Sequence, residues 1–157
     1  MKQNLFGENV DYKNFTAPFV LVALLNRFDN RYQSAADAFF DELSWKQMFF
    51  LNGVTLFKEP PTVRDMADFM GSSHQNANKL YAKLLKEGYI TSETDEVDRR
   101  KQRIFLTEKA KHFLANNKAE AGKIVNKIFS VVSEKELEAV IDVMANLTEN
   151  LEKYCNK

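Results

Sequence analysis

Apolar residues recur at helical spacing through most of the chain. Leu21, Leu24, Leu25, Phe28, Tyr32, Ala35, Ala36, Phe39 and Leu43 fall on one such stripe. Thr16 can cap it, and Pro18 is tolerated in a first turn. This pattern predicts a first helix from Thr16 to about Glu42. Ser44 with Gln47 three residues on reads as a capping box. It opens a second helix carrying Met48, Phe49, Leu51 and Val54 toward Leu56. Lys58-Glu59-Pro60-Pro61 ends that helix, because a residue before proline avoids the helical region.

Thr62, with Asp65 to complete its cap, opens a short third helix from Val63 to Met70, and Gly71 closes it. Ser72-Ser73 caps a fourth helix from His74 to Glu87, closed by Gly88. Tyr89 to Ser92 and Arg103 to Leu106 then flank a charged stretch and read as two short antiparallel strands. Thr107 caps a fifth helix with the stripe Ala110, Phe113, Leu114, Ala121, Ile124, Val125 and Ile128. Ser133 and Glu136 make a capping box for a sixth, striped by Leu137, Val140, Met144, Leu147, Leu151 and Tyr154. That narrow seam suits a helix-helix interface.

Composition adds bounds. The 157 residues suit one domain, and 13 Phe with 5 Met supply a proper core. Only 5 Gly and 3 Pro interrupt the helices. The single cysteine, Cys155, cannot form an internal disulfide, and no Cys/His cluster has zinc spacing. The expected compartment is a reducing cytoplasm. The N-terminal segment lacks the apolar run of a signal peptide, and no stretch approaches the roughly 18 apolar residues of a membrane span. No cofactor is expected. A Gly-rich phosphate loop, a metal-ligand spacing and a nucleophile set beside a base are all missing, so an enzyme is disfavoured.

Net charge is zero, which does not itself suggest a polyanionic partner. The distribution does. Ser73 to Lys111 holds nine basic and six acidic residues, against 13 and 16 elsewhere. The basic side concentrates at Arg99-Arg100-Lys101-Gln102-Arg103.

The informative region is Thr62 to Leu106: helix, tight turn, helix, hairpin. A DNA recognition helix needs polar side chains on its first turns and an apolar inner face. The fourth helix offers Ser73, His74, Gln75, Asn76, Asn78, Lys79 and Lys83 outward. Ala77, Leu80, Tyr81, Leu84 and Leu85 face inward. Asn and Gln can pair bidentately with adenine, and Lys can reach guanine or phosphate. The hairpin loop places Arg99, Arg100 and Lys101 where a minor groove could receive them. The plain alternative for both rows is a solvated surface.

These segments resemble the MarR family of transcriptional regulators. Residues 43–47, LSWKQ, resemble the Leu-Thr-x-x-Gln start of that family's second helix. Residues 66–90, MADFMGSSHQNANKLYAKLLKEGYI, resemble its helix-turn-helix. Residues 95–107, DEVDRRKQRIFLT, resemble its wing, Asp-x-x-Asp-Arg-Arg followed by a strand and Leu-Thr. No gap is needed between Met66 and Thr107, and the flanking helices match in number and order.

The resemblance implies a mainly α, winged helix-turn-helix fold and one MarR-like domain over residues 1–157. Residues 16–56 would be its N-terminal helices, 62–107 its winged core and 108–157 its C-terminal dimerisation helices. It implies a homodimer that reads a pseudo-palindromic operator in double-stranded DNA. Asp98 and Arg100 would order the wing while Arg99 or a neighbour enters the minor groove. A small aromatic effector binding between the dimer helices and the winged core would release the DNA. The aromatics Phe28, Tyr32, Trp45 and Phe49 are the candidates for such a site; the alternative is that they are core.

Some positions depart from the family pattern. Thr91-Ser92 and His74 stand where relatives often carry basic residues, and Glu93, Asp95 and Glu96 bring acid close to the wing. Fewer cations mean fewer released counterions and a shallower salt dependence. These departures keep open a second reading, a winged-helix protein-interaction module without specific DNA binding. Cys155 does not match the N-terminal cysteine of the family's redox-sensing branch.

Overall fold

The computed structural model describes residues 5–155; the Cys155 side chain, and with it any redox role, lies outside the described residues. Six helices and one hairpin follow in order: α1 (Ala17–Asp37), α2 (Trp45–Val54), α3 (Val63–Phe69), α4 (His74–Lys86), β1 (Ile90–Thr94), β2 (Gln102–Leu106), α5 (Glu108–Phe129) and α6 (Glu134–Cys155). Two compact units make up the chain, Met1–Leu114 and Ala115–Lys157. Among the described residues no helix is long and apolar enough to cross a membrane.

The caps read from the sequence form. Ser44 Oγ accepts the Gln47 N–H while the Gln47 side chain accepts the Ser44 N–H. Thr62 and Asp65 do the same for α3, as do Ser133 and Glu136 for α6. Each box satisfies two N–H groups that a helix start leaves without partners. Ser73 alone caps α4, accepting from Asn76.

Helices α3 and α4 both end on a left-handed glycine, Gly71 at φ 59° and Gly88 at φ 74°. At each, the next residue's N–H folds back to the helix: Ser72 to the Ala67 carbonyl and Tyr89 to the Leu84 carbonyl, both 3.0 Å. Only glycine adopts that backbone without a Cβ penalty. The first reversal turns the chain from α3 into α4; the second turns α4 into β1.

The core of the first unit forms around α2. Phe50, Leu51, Met66, Leu84, Ile90 and Ile104 are fully buried, drawn from α2, α3, α4 and both strands. The strands pair antiparallel, Ile90 opposite Leu106 and Thr94 opposite Gln102. In the second unit α6 buries none of its described residues. Val140, Ile141, Leu147, Leu151 and Tyr154 stay exposed along it.

The predicted end of the first helix is corrected. Helix α1 stops at Asp37 rather than near Glu42. Asp37 Oδ1 accepts the N–H of Trp45, so its side chain serves the start of α2. The chain between them is irregular, and this changes which aromatic is inside. Phe39, placed on the stripe by spacing, is 57% exposed, whereas Phe40 is 8% exposed. Leu21 and Phe28 of the stripe are also exposed, while Val20 and Ala36 are buried.

This exchange has a measurable consequence. Phe40→Ala should cost about 3–5 kcal/mol of unfolding free energy, as large-to-small core changes do. Phe39→Ala should stay within about 0.5 kcal/mol, the range of surface changes. Urea denaturation of both variants checks this, and the opposite order would restore the uninterrupted helix.

Candidate nucleic-acid interface

Helix α4 carries a buried seam, Ala77 and Leu84, that presses it onto the first unit. Gln75 lies about 170° around the helix from that seam, on the outward crest. The seven polar candidates on α4 do not share one surrounding. His74 and Asn78 face a cleft between α4 and the hairpin. Asn76 and Lys79 lie at the edge of a different cavity, shared with α1 and α2. Ser73 is engaged as the cap. Lys83 turns toward α2, where its ammonium donates to Gln47 Oε1 at 3.2 Å and stands 3.9 Å from Glu87. Lys83 is therefore tied into the framework. Exposed Lys86, which spacing alone passed over, shares the outward crest with Gln75.

The hairpin loop, residues 95–101, is organised by its acids. Asp95 Oδ1 accepts the N–H groups of Val97 and Asp98 at 3.0 and 2.7 Å. Asp95 Oδ2 pairs with Arg103 Nε at 2.5 Å. Asp98 accepts the Arg100 N–H at 3.2 Å and stands 3.6 Å from Lys101 Nζ. The wing-ordering pair expected from the resemblance, Asp98 and Arg100, is thus realised through the Arg100 backbone only. The ordering ion pair is Asp95 with Arg103. Among the described residues the side chains of Arg99 and Arg100 have no hydrogen-bond or ion-pair partner, and both are exposed.

Arg103 also fastens the hairpin to the domain. Its Nη1 donates to the Pro60 carbonyl at 3.0 Å, and the Ile104 N–H donates to the Pro61 carbonyl at 2.8 Å. Pro60-Pro61 reads in the sequence as a helix breaker; folded, it supplies carbonyls that dock β2. Tyr81 Oη donates to Ser92 Oγ at 2.9 Å and ties α4 to β1.

The cleft between α4 and the hairpin measures about 650 Å³. Arg64, His74, Asn78, Tyr81, Arg100 and Lys101 contribute to its walls. Arg64, on the first turn of α3, is absent from the candidates read along the chain. Its signal was a basic residue just inside a well-capped helix, visible only once the hairpin folds opposite.

The second cavity, about 630 Å³, lies among α1, α2 and the α3–α4 turn. Tyr32, Trp45 and Phe49 line it, with Lys46, Ser72 and Lys79 as polar members. Ser72 Oγ is buried there without a hydrogen-bond partner among the described residues. Phe28 is not in its lining; it stacks on Tyr32 from one turn back, 5.8 Å between centroids. The rings continue as a ladder from Tyr32 to Trp45, Phe49 and Phe69 at 4.8, 5.8 and 5.3 Å.

The model of the MarR family matches residues 43–101. A MarR protein from Peptoclostridium difficile superposes with a TM-score of 0.78 at 17% identity, covering 94% of this chain and 96% of that one. MepR of S. aureus in complex with DNA superposes with a TM-score of 0.71 at 19% identity, over 90% of this chain and 99% of that one. An organohalide-sensing transcriptional regulator, RdhR, in its 2,4-dichlorophenol-bound form gives 0.77 at 14% identity, over 93% and 88%. The fold is the winged helix-turn-helix of these regulators, mainly helical with one two-stranded sheet.

Asp95 carries a pH signature. The Asp98 N–H, the Arg103 guanidinium and the Val97 N–H hold its carboxyl at about 2, well below the usual range. A depressed carboxyl stabilises the fold above its unfolded value of about 3.9 and loses that contribution as pH falls through the folded value. Hydrogen-bonded amides of Val97 and Asp98 should hold their chemical shifts from pH 7 to about 4 and titrate below that. Titration centred near pH 4 would show that the ordering pair is not formed in solution.

Proposed function

We propose, for a chain whose residues 43–101 belong to the MarR family, that it is a sequence-specific DNA-binding transcriptional regulator acting as a homodimer. One observation carries the reading: a cleft walled by Arg64, His74, Arg100 and Lys101 separates an outward-facing polar helix from a basic hairpin. A helix in the major groove and a wing in the adjacent minor groove must straddle one phosphate backbone. In this reading Gln75, Asn78 and His74 face base edges, and Arg99 enters the minor groove. Arg64, Arg100 and Lys101 meet phosphates, which position without reading sequence. Asn76 and Lys79 are the flanking contacts, with Ser73 presenting the helix N-terminus.

The zero net charge does not oppose this. Asp95 and Asp98 spend their charge on Arg103 and Lys101 inside the wing. Glu93 and Glu96 remain as exposed acids beside it. Those two favour the second reading, a protein-interaction module.

Dimerisation is supported by apolar side chains that the single chain leaves uncovered. They include Phe15 just before α1, Phe19 and Val22 in its first turns, and Leu147 and Leu151 toward the end of α6. The aromatic cavity suits a small aromatic effector in size and lining. A neighbour of the same fold holds 2,4-dichlorophenol. Because Asn76 and Lys79 reach this cavity from α4, a ligand there would favour one placement of the recognition helix over another, as release of a repressor requires.

Selection of a duplex from a randomised library by the wild-type protein tests the reading. A pseudo-palindromic consensus is expected; no enrichment at low salt would favour the interaction module. On the selected duplex, Arg99→Ala/Arg100→Ala should weaken binding to all sequences and flatten the slope of log affinity against log salt by about 3–4, since each protomer of the dimer loses both cations. Gln75→Ala or Asn78→Ala should instead change base preference, by about 1–3 kcal/mol for a bidentate contact. Anisotropy titrations at several salt concentrations separate the two behaviours.

A further inference from the structure

Among the described residues Gln47 is the buried polar residue of the core, 2% exposed. Its carboxamide reaches two helices at once. Within α2, Oε1 accepts the N–H of Ser44 at 3.1 Å and its hydroxyl at 3.0 Å. Across to α4, Oε1 accepts from Lys83 Nζ at 3.2 Å and Nε2 donates to Glu87 Oε2 at 3.1 Å. A capping box needs only the first pair. The second pair is additional and long-range.

The contacts on α4 form a row. Asn76, Leu80, Lys83 and Glu87 follow at steps of four, three and four, along one flank of that helix. Asn76 and Leu80 meet the cavity that Trp45, Lys46 and Phe49 also line. Lys83 and Glu87 meet Gln47. The first turn of α2 thus bonds α4 near its C-terminal end and shares a cavity with its N-terminal half. Apolar packing at Ala77 and Leu84 holds α4 on the first unit, and the Tyr81–Ser92 bond restrains it on the hairpin side; on the α2 side the Gln47 bonds set its fine rotation. Hydrogen bonds have direction, and a buried amide left unpaired is costly.

We propose that Gln47 is the positioning residue of the recognition helix, fixing its rotation so that Gln75 and Asn78 meet the base edges in register. This rests on the DNA-binding reading above. Gln47 touches no DNA itself. Loss of its cross-helix bonds leaves α4 attached but free to turn by a small angle, so sequence discrimination falls while backbone attraction persists.

The test is a double-substitution cycle on the full chain. Gln47→Glu sets a carboxylate against Glu87 and removes the donor. Glu87→Gln in that background restores a donor facing an acceptor, with Lys83 still in place. The probes are the duplex selected by the wild-type protein and poly(dI-dC). Gln47→Glu is expected to lose about tenfold or more in affinity for the selected duplex, and less than about twofold for poly(dI-dC). The double variant is expected to recover to within about threefold of wild type. Should Gln47→Glu fail to fold by circular dichroism, Glu87→Ala, at a part-exposed position, carries the same expectation of lost discrimination.

Wild-type discrimination by the substituted protein overturns the proposal. So does equal loss on both DNAs, or a loss that Glu87→Gln does not rescue. Failure of the wild-type protein to select any duplex overturns the DNA-binding reading itself, which separates the two.

Discussion

Helix α2 is apolar on nearly every face, and the first unit is assembled by covering it. Of its ten residues only Lys46 and Asn52 are exposed. Phe50 and Leu51 are shut away completely. A helix of that kind cannot rest on one neighbour, since burial on all sides needs partners on all sides. α1, α3, α4 and β2 supply them. Placing the helix-turn-helix against α2 brings the cavity, the Gln47 contacts and the hairpin anchor within reach of one short segment. The functional surfaces follow from that packing constraint.

Much of this was legible along the chain because caps and breakers act locally. Ser44, Thr62, Ser73 and Ser133 mark helix starts by satisfying nearby N–H groups, and Gly71 and Gly88 mark ends by conformation alone. The end of α1 was not legible. Asp37 acts on Trp45, eight residues ahead, through a hydrogen bond that periodicity cannot express. A helical stripe also continued by coincidence through Phe39 and Leu43. The bonds of Lys83 to α2 were hidden for the same kind of reason. Spacing makes it polar and outward, and only the fold brings Gln47 beneath it. The wing was legible as a basic loop between strands, yet which charge orders it was not. Asp95 and Arg103 are eight residues apart and meet through strand register.

Charge is divided between two tasks in the hairpin. Arg103 and Lys101 balance Asp95 and Asp98 within the loop, while Arg99 and Arg100 project without partners among the described residues. A loop that neutralised every cation would be ordered but inert. One with unopposed cations alone would have little to hold its shape. The wing holds its form with one set of charges and leaves the other exposed to solvent. Formal net charge, being zero, conceals this arrangement.

The central claim is that α4 and the wing meet adjacent grooves of one duplex. Amide chemical-shift mapping of the isotope-labelled protein, titrated with its selected duplex, tests it most directly. Residues 74–79 of α4, Arg64 on α3 and residues 96–101 of the wing should shift together at one stoichiometry. The amides of α2 near Phe50 and Leu51 should stay largely in place. Shifts in α4 without the wing, or in neither while the duplex is bound elsewhere, would contradict the account.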